Sequence, residues 1–142
     1  MPEKFLGAPY PITRHPRGYF RRQGGIEQIK SDLLILLLTN PGERVMLPEY
    51  GTGLRDLLFD PNDNVLQQRA RELIVNAINT WEPRIAVDQV DVLTSVDDSS
   101  LNVFDDKNEA GAILMIRILF KDPQDIATVQ ELRLEVPLGG IK

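Results

Sequence analysis

The sequence predicts an α+β domain: N-terminal helices packed on one face of a small, mainly antiparallel sheet of three to four strands, preceded by an extended arm. Three observations carry that prediction. Apolar residues recur at helical spacing over residues 26–38 and 61–81, the spacing changes to alternation from Arg84 onward, and residues 1–25 follow neither period. With 142 residues the chain has room for one domain with its own core, so the expected division is an arm, 1–25, and a single domain, 26–142.

The arm holds Pro2, Pro9, Pro11 and Pro16 together with Gly7, Gly18, Gly24 and Gly25, which predicts an extended, mobile segment that a partner would order. Lys4, Arg14, Arg17, Arg21 and Arg22 against Glu3 give it +4, whereas the remaining 11 cations and 20 anions leave the body at −9. A basic arm therefore precedes an acidic body. Phe5, Tyr10, Tyr19 and Phe20 are interleaved with the charges, and Arg14, Arg17, Tyr19, Phe20, Arg21 and Arg22 are the candidate contact residues.

In IEQIKSDLLILLLTN, Ile26, Ile29, Leu33, Leu36 and Leu37 mark one helix face, and Leu34, Ile35 and Leu38 widen it, predicting burial on more than one side. Asn40-Pro41-Gly42 ends the helix. After the loop GERVMLPEYGTG, the stretch LRDLLF has the length of one or two helical turns. Asp60-Pro61 reads as N-cap and first helical residue. Val65, Leu66, Ala70, Leu73, Ile74, Ala77, Ile78 and Trp81 then form a stripe of period 3.6 along a helix from 61 to 81. Pro83 stops that helix and drives Glu82 toward an extended conformation.

From Arg84 the period is two. Ile85 and Val87, then Val90 and Val92, change parity at Asp88-Gln89, which predicts a β-bulge. Polar segments around LNV suggest a long hairpin tip over 97–111. AILMIRILF, 112–120, is apolar on both faces apart from Arg117, as a central strand requires. Residues 127–136 alternate with a second expected slip, between Val129 and Leu132. Three strands leave two edges, and the C-terminal strand is the candidate for an exposed one, open to a strand from another chain.

Composition excludes several chemistries. Without cysteine there is no disulfide framework and no thiolate nucleophile or metal ligand, which suits a reducing compartment. The longest apolar run, Leu33 to Leu38, falls far short of the roughly 20 residues a membrane span needs, and the first residues lack a signal-peptide core. The expectation is a soluble chain made in a cytoplasm, with no membrane contact. His15 is the only histidine, which excludes a histidine-based triad or metal site. The start DPNDN resembles a calcium loop, but Val65 and Arg71 stand where glycine and a bidentate glutamate are needed. Neither a cofactor nor a metal is expected.

Glu82 invites a hydrolase reading, since a glycosidase needs a carboxylic acid beside a second carboxylate. No second member is evident, and Arg84, two residues on in an extended segment, would favour the ionised form. The bland alternative is a surface ion pair at a helix-to-strand corner; the other is a rigid corner presenting a contact. Stacking and charge in the arm also suit nucleic acid, but the acidic body would repel phosphates, so no nucleic-acid partner is expected.

Taken together, LLILLLTNPGERVMLPEYGTGLRDLLFDP, a helix, WEPRI and the alternating strands resemble the baseplate wedge proteins of contractile tails, a family shared by phages, tailocin-like particles and the type VI secretion baseplate. The resemblance runs from about Gly25 to Val136 and is most specific at Gly42, Glu43, Arg44, Pro48, Glu49, Tyr50 and Gly51 and at Glu82-Pro83-Arg84. It implies a structural component rather than an enzyme, placed in the virion tail baseplate, assembled in the host cytoplasm and present as six copies around the tail axis. It further implies that Glu82, Pro83 and Arg84 dock on the helical bundle of larger baseplate wedge proteins. Ile113, Met115, Arg117, Val129, Leu132, Leu134 and Val136 would serve strand addition by the tail sheath protein. The arm, outside the resemblance, is expected to meet an acidic surface on a tube or hub protein. The rival classes are a peptidoglycan hydrolase and a nucleic-acid-binding module.

Overall fold

The computed structural model describes residues 5–60, 64–94, 113–123 and 125–137. In chain order it contains helix α1 (Gly25–Leu38), a 3₁₀ turn (Leu54–Phe59), helix α2 (Asn64–Trp81) and strands β1 (Ala86–Thr94), β2 (Ile113–Asp122) and β3 (Asp125–Pro137). The class is α+β, and the chain divides into two compact units, Met1–Thr52 and Gly53–Lys142.

In the first unit, α1 buries Ile29, Leu33, Leu36 and Leu37 as the helical spacing requires. Its apolar stripe is narrower than expected, because Ile35 and Leu38 are exposed while the polar Gln28 and Ser31 are buried. Ser31 is accommodated by donating its hydroxyl to Gln23 Oε1 at 3.0 Å, whereas Gln28 donates to Asp32 at 2.8 Å but leaves its own Oε1 buried with no partner among the described residues. Thr39, with extended backbone, ends the helix, and Gly42 takes the left-handed turn beyond it at φ 93°.

Residues 5–24 of the arm fold back on themselves. Gly7 and Gln23 exchange reciprocal main-chain hydrogen bonds of 2.9 Å, Arg21 N donates to Thr13 O at 3.0 Å, and His15 N donates to Tyr19 O at 2.5 Å. A tight turn with Gly18 at φ 98° closes the tip, giving an irregular antiparallel hairpin. Main-chain pairing across a glycine turn needs no side-chain alternation, which is why proline and glycine content suggested an open tail instead.

In the second unit, α2 buries Leu66, Ala70, Ile74, Ala77 and Ile78. Val65, expected in that stripe, is exposed at the first turn. Asp60 has extended backbone and closes the 3₁₀ turn through its N–H to Leu57 O, while its carboxylate accepts from Arg69 at 2.7 Å. The expected helical Pro61 lies outside the described residues.

The sheet is antiparallel with order β1-β2-β3. Its register slips between Val87 and Gln89, where the parity of β1 changes in the sequence. On the helix side, Val90, Val92, Leu114, Ile116, Ile118, Phe120 and Leu132 are buried, and α2 packs along β1 there. The second slip, expected between Val129 and Leu132, is absent: pairing is unbroken from Lys121↔Val129 to Ile113↔Pro137. Val129 and Ala127 simply face the other side and are exposed. The irregularity sits instead at the hairpin, between Lys121 and Asp122. The expected tip over 97–111 lies outside the described residues.

Candidate functional site

Glu82 follows directly on α2, and its N–H donates to Ile78 O at 2.8 Å, completing the last turn before Pro83 forbids another. Glu82 is only 5% exposed, so the pair that the surface-ion-pair alternative supposed is in fact half internal. Arg84 Nε donates to Oε1 at 2.6 Å and Nη2 to Oε2 at 2.5 Å, a bidentate fork. Arg84 keeps 31% of its side chain exposed and Pro83 is exposed. Glu82 thereby orients Arg84, and the surface of the corner consists of proline ring and guanidinium. Both oxygens of this largely buried carboxylate are thus engaged by one cation.

The strand residues fall into two groups. Ile113, Met115 and Arg117 stand on β2, whose main chain is paired with strands on both sides; Val129, Leu132, Leu134 and Val136 stand on β3. Among the described residues β3 pairs with β2 alone, so of these two strands only β3 has a free rim. Leu132 is buried and Leu134 and Val136 are half-buried on the helix side, whereas Met115, Arg117 and Val129 lie on the opposite, more open face.

That open face is laced with charge. Arg117 donates to Asp91 Oδ2 through Nε at 3.0 Å and Nη2 at 2.5 Å, Lys121 to Asp88 at 3.0 Å, and Arg133 to Glu131 at 2.7 Å. The Gln89 side chain, donating to Asp91 at 2.6 Å, and then Arg117 hold the Asp91 carboxyl below its usual range. Arg133 does the same to Glu131.

The arm's candidate residues all stand on the hairpin, Arg14, Tyr19 and Phe20 around one hollow and Arg21 and Arg22 around another. Arg14, Arg17, Arg21 and Arg22 are exposed, with Tyr19 at 81% and Phe20 at 74%. Arg14 shares its hollow with Tyr19 and Phe20, a composition typical of contact hot spots.

Sequence reasoning missed one surface. The loop after α1 is cross-braced: Gly42 N donates to Pro48 O at 2.6 Å, Asn40 N to Glu43 Oε2 at 3.0 Å, Tyr50 N to Leu47 O at 3.1 Å and Thr52 Oγ1 to Leu37 O at 2.9 Å. Arg44 lies over the Tyr50 ring, 4.6 Å from its centroid. At its tip Val45 and Met46 are each 93% exposed. Two apolar residues flanked by Arg44 and Leu47 gave no signal of exposure, because only the bracing of the loop aims them outward.

Among the described residues, no group of three His, Asp or Glu side chains is placed to hold a metal ion, and no helix is long and apolar enough to cross a membrane.

A family model described as baseplate wedge protein gp25 matches residues 23–113, which takes in α1, the braced loop, α2 and β1. The chain is 34% identical over 82 residues to the baseplate wedge protein gp25 of Enterobacteria phage T4, covering 58% of this chain and 62% of that one. Over 72 residues it is 29% identical to baseplate protein W of Escherichia phage P2, covering 51% and 63%. It thus spans less than two thirds of either relative. Among solved structures, a tail-lysozyme candidate from Geobacter sulfurreducens superposes with a TM-score of 0.65 at 25% identity, over 83% of this chain and 95% of that one.

Proposed function

The chain belongs to the gp25 baseplate wedge family, and from that premise we propose that this structural protein of contractile-tail baseplates joins the wedge to the sheath. The exposed part of the corner, Pro83 and Arg84, with Glu82 holding the guanidinium in place, docks on the helical bundle of larger wedge proteins. The free rim of β3 accepts a strand from the tail sheath protein, with main-chain hydrogen bonds supplying affinity and alternate side chains supplying selectivity. The hairpin meets an acidic surface on a tube or hub protein, and six copies surround the tail axis. The single observation that carries this reading is that, among the described residues, β3 pairs with β2 alone in a family member.

Co-purification with the sheath protein of the same particle tests the rim, and baseplate assembly tests the corner. Arg84→Ala alone strands a buried carboxylate, so the cleaner variant is Glu82→Gln with Arg84→Gln, which keeps shape and removes charge. A folded double variant that still assembles normal baseplates would refute the corner contact.

The Geobacter relative favours one second reading, a peptidoglycan hydrolase. Glu82→Gln would then abolish glycan cleavage and leave assembly intact; turnover by the purified chain is its direct measurement. The geometry of Glu82, buried and forked to Arg84, argues against it.

A further inference from the structure

A sheet of three strands has two rims, and these are built differently. β1 is kinked by the bulge between Val87 and Gln89, a device that turns an edge away from a straight partner. Beyond the bulge, Arg71 of α2 donates its Nε to the main-chain carbonyl of Val90 at 2.9 Å. Val90 buries its side chain on the helix side, whereas Asp91 points to the other face and its carboxyl also feels the Arg71 cation. With its Nε on Val90 O, the guanidinium occupies a main-chain acceptor of β1. An incoming strand would need that carbonyl as an acceptor and would have to expel a charge-assisted bond to reach it.

β3 is 13 residues long and keeps one register from Val129 to Pro137. Its exposed side chains include Ile126 and Val129, and no bulge interrupts it between Val129 and Pro137.

We propose that Arg71 closes the β1 rim and makes the sheet one-sided, so that strands add at β3 and not at β1. This rests on the strand-addition reading above. Arg71 acts as a positioning residue: it fixes which rim is offered, and so the orientation in which the domain meets its partner.

The absence of cysteine makes the test direct. Leu93→Cys on β1 and Val129→Cys on β3, both at partly exposed positions, report each rim separately by thiol alkylation with and without the sheath protein of the same particle. The expected result is loss of reactivity at position 129 only. Adding Arg71→Ala should extend that loss to position 93, and Arg71→Lys, whose ammonium can still cap the carbonyl, should restore the one-sided pattern. Circular dichroism on each variant confirms that it is folded. If position 129 is protected but Arg71→Ala leaves position 93 reactive, Arg71 is not the closure and strand addition stands. Protection at neither position removes the strand-addition reading, and this inference with it.

Discussion

The hairpin of residues 5–24 and the sheet of β1, β2 and β3 are both antiparallel, yet they are held together in opposite ways. The hairpin is pinned by main-chain bonds at Gly7/Gln23, Thr13/Arg21 and His15/Tyr19, and it leaves Tyr19 and Phe20 in solvent. The sheet buries Leu114, Ile116, Ile118 and Phe120 almost completely. Burial of apolar area dominates folding free energy, while large aromatics beside arginine dominate contact energy. The comparison therefore assigns stability to the sheet, while the contact proposed for the hairpin would rest on its exposed side chains.

The hardest way to break this comparison is to remove the anchor of the sheet. Phe120→Ala should cost about 3–5 kcal/mol, a large part of the stability of a small domain, read as the denaturant midpoint. A loss below about 1 kcal/mol would show that the sheet is not where stability resides.

The corner between helix and sheet should come next. Arg84→Ala leaves the Glu82 carboxylate buried without its fork, and because Arg84 is partly exposed the cost should be about 1–3 kcal/mol, below that of a fully buried pair. Glu82→Gln with Arg84→Gln should cost less than Arg84→Ala alone. The reverse order in thermal melts would mean that Glu82 does not depend on its partner.

Smaller again is Gly51→Ala in the braced loop. Gly51 sits at φ 133°, and a Cβ there would overlap the carbonyl of Thr39 and the backbone of Asn40 and Pro41. About 1–2 kcal/mol is expected, since strain at a glycine-only conformation is of that order.

The double change Tyr19→Ser with Phe20→Ser sharpens the contrast from the other side. Stability should move by less than about 0.5 kcal/mol, as for exposed positions generally, while affinity for an acidic baseplate partner falls. A melting shift as large as that of Gly51→Ala would show that the hairpin is part of the fold's support.

Least of all is the acid limb. The native Asp91 carboxyl is held below its ordinary value of 3.8 by Gln89 and Arg117, so the native state binds that proton less readily than the unfolded chain does. Its contribution is complete above 3.8 and is lost as pH falls through the lower native value. Asp91→Asn should flatten the dependence of unfolding free energy on pH in that window by no more than about 1 kcal/mol, as for a largely solvated pair.

Legibility in the sequence followed the same division. Side-chain period located α2, and the change of parity at Asp88-Gln89 located a real bulge, because burial on one face of an element writes itself into spacing. The apolar run of β2 likewise identified the middle strand. The hairpin left no such trace: its ties are main-chain, and any residue can supply them. Val129 misled for a related reason, since an exposed valine on the open face mimics the signal of a buried one. At the corner, the triplet Glu82-Pro83-Arg84 was visible, but the burial of Glu82 was not, because a carboxylate enters the interior only when its partner's geometry is known.

The braced loop has a chemical consequence for anyone who stores this protein. Met46 presents its thioether to solvent almost completely, whereas Met115 is half covered. Peroxide should convert Met46 to the sulfoxide ahead of Met115, replacing the apolar end of a rigid protrusion with a polar one. Ageing of a purified sample would thus begin at a point where the fold has little to lose.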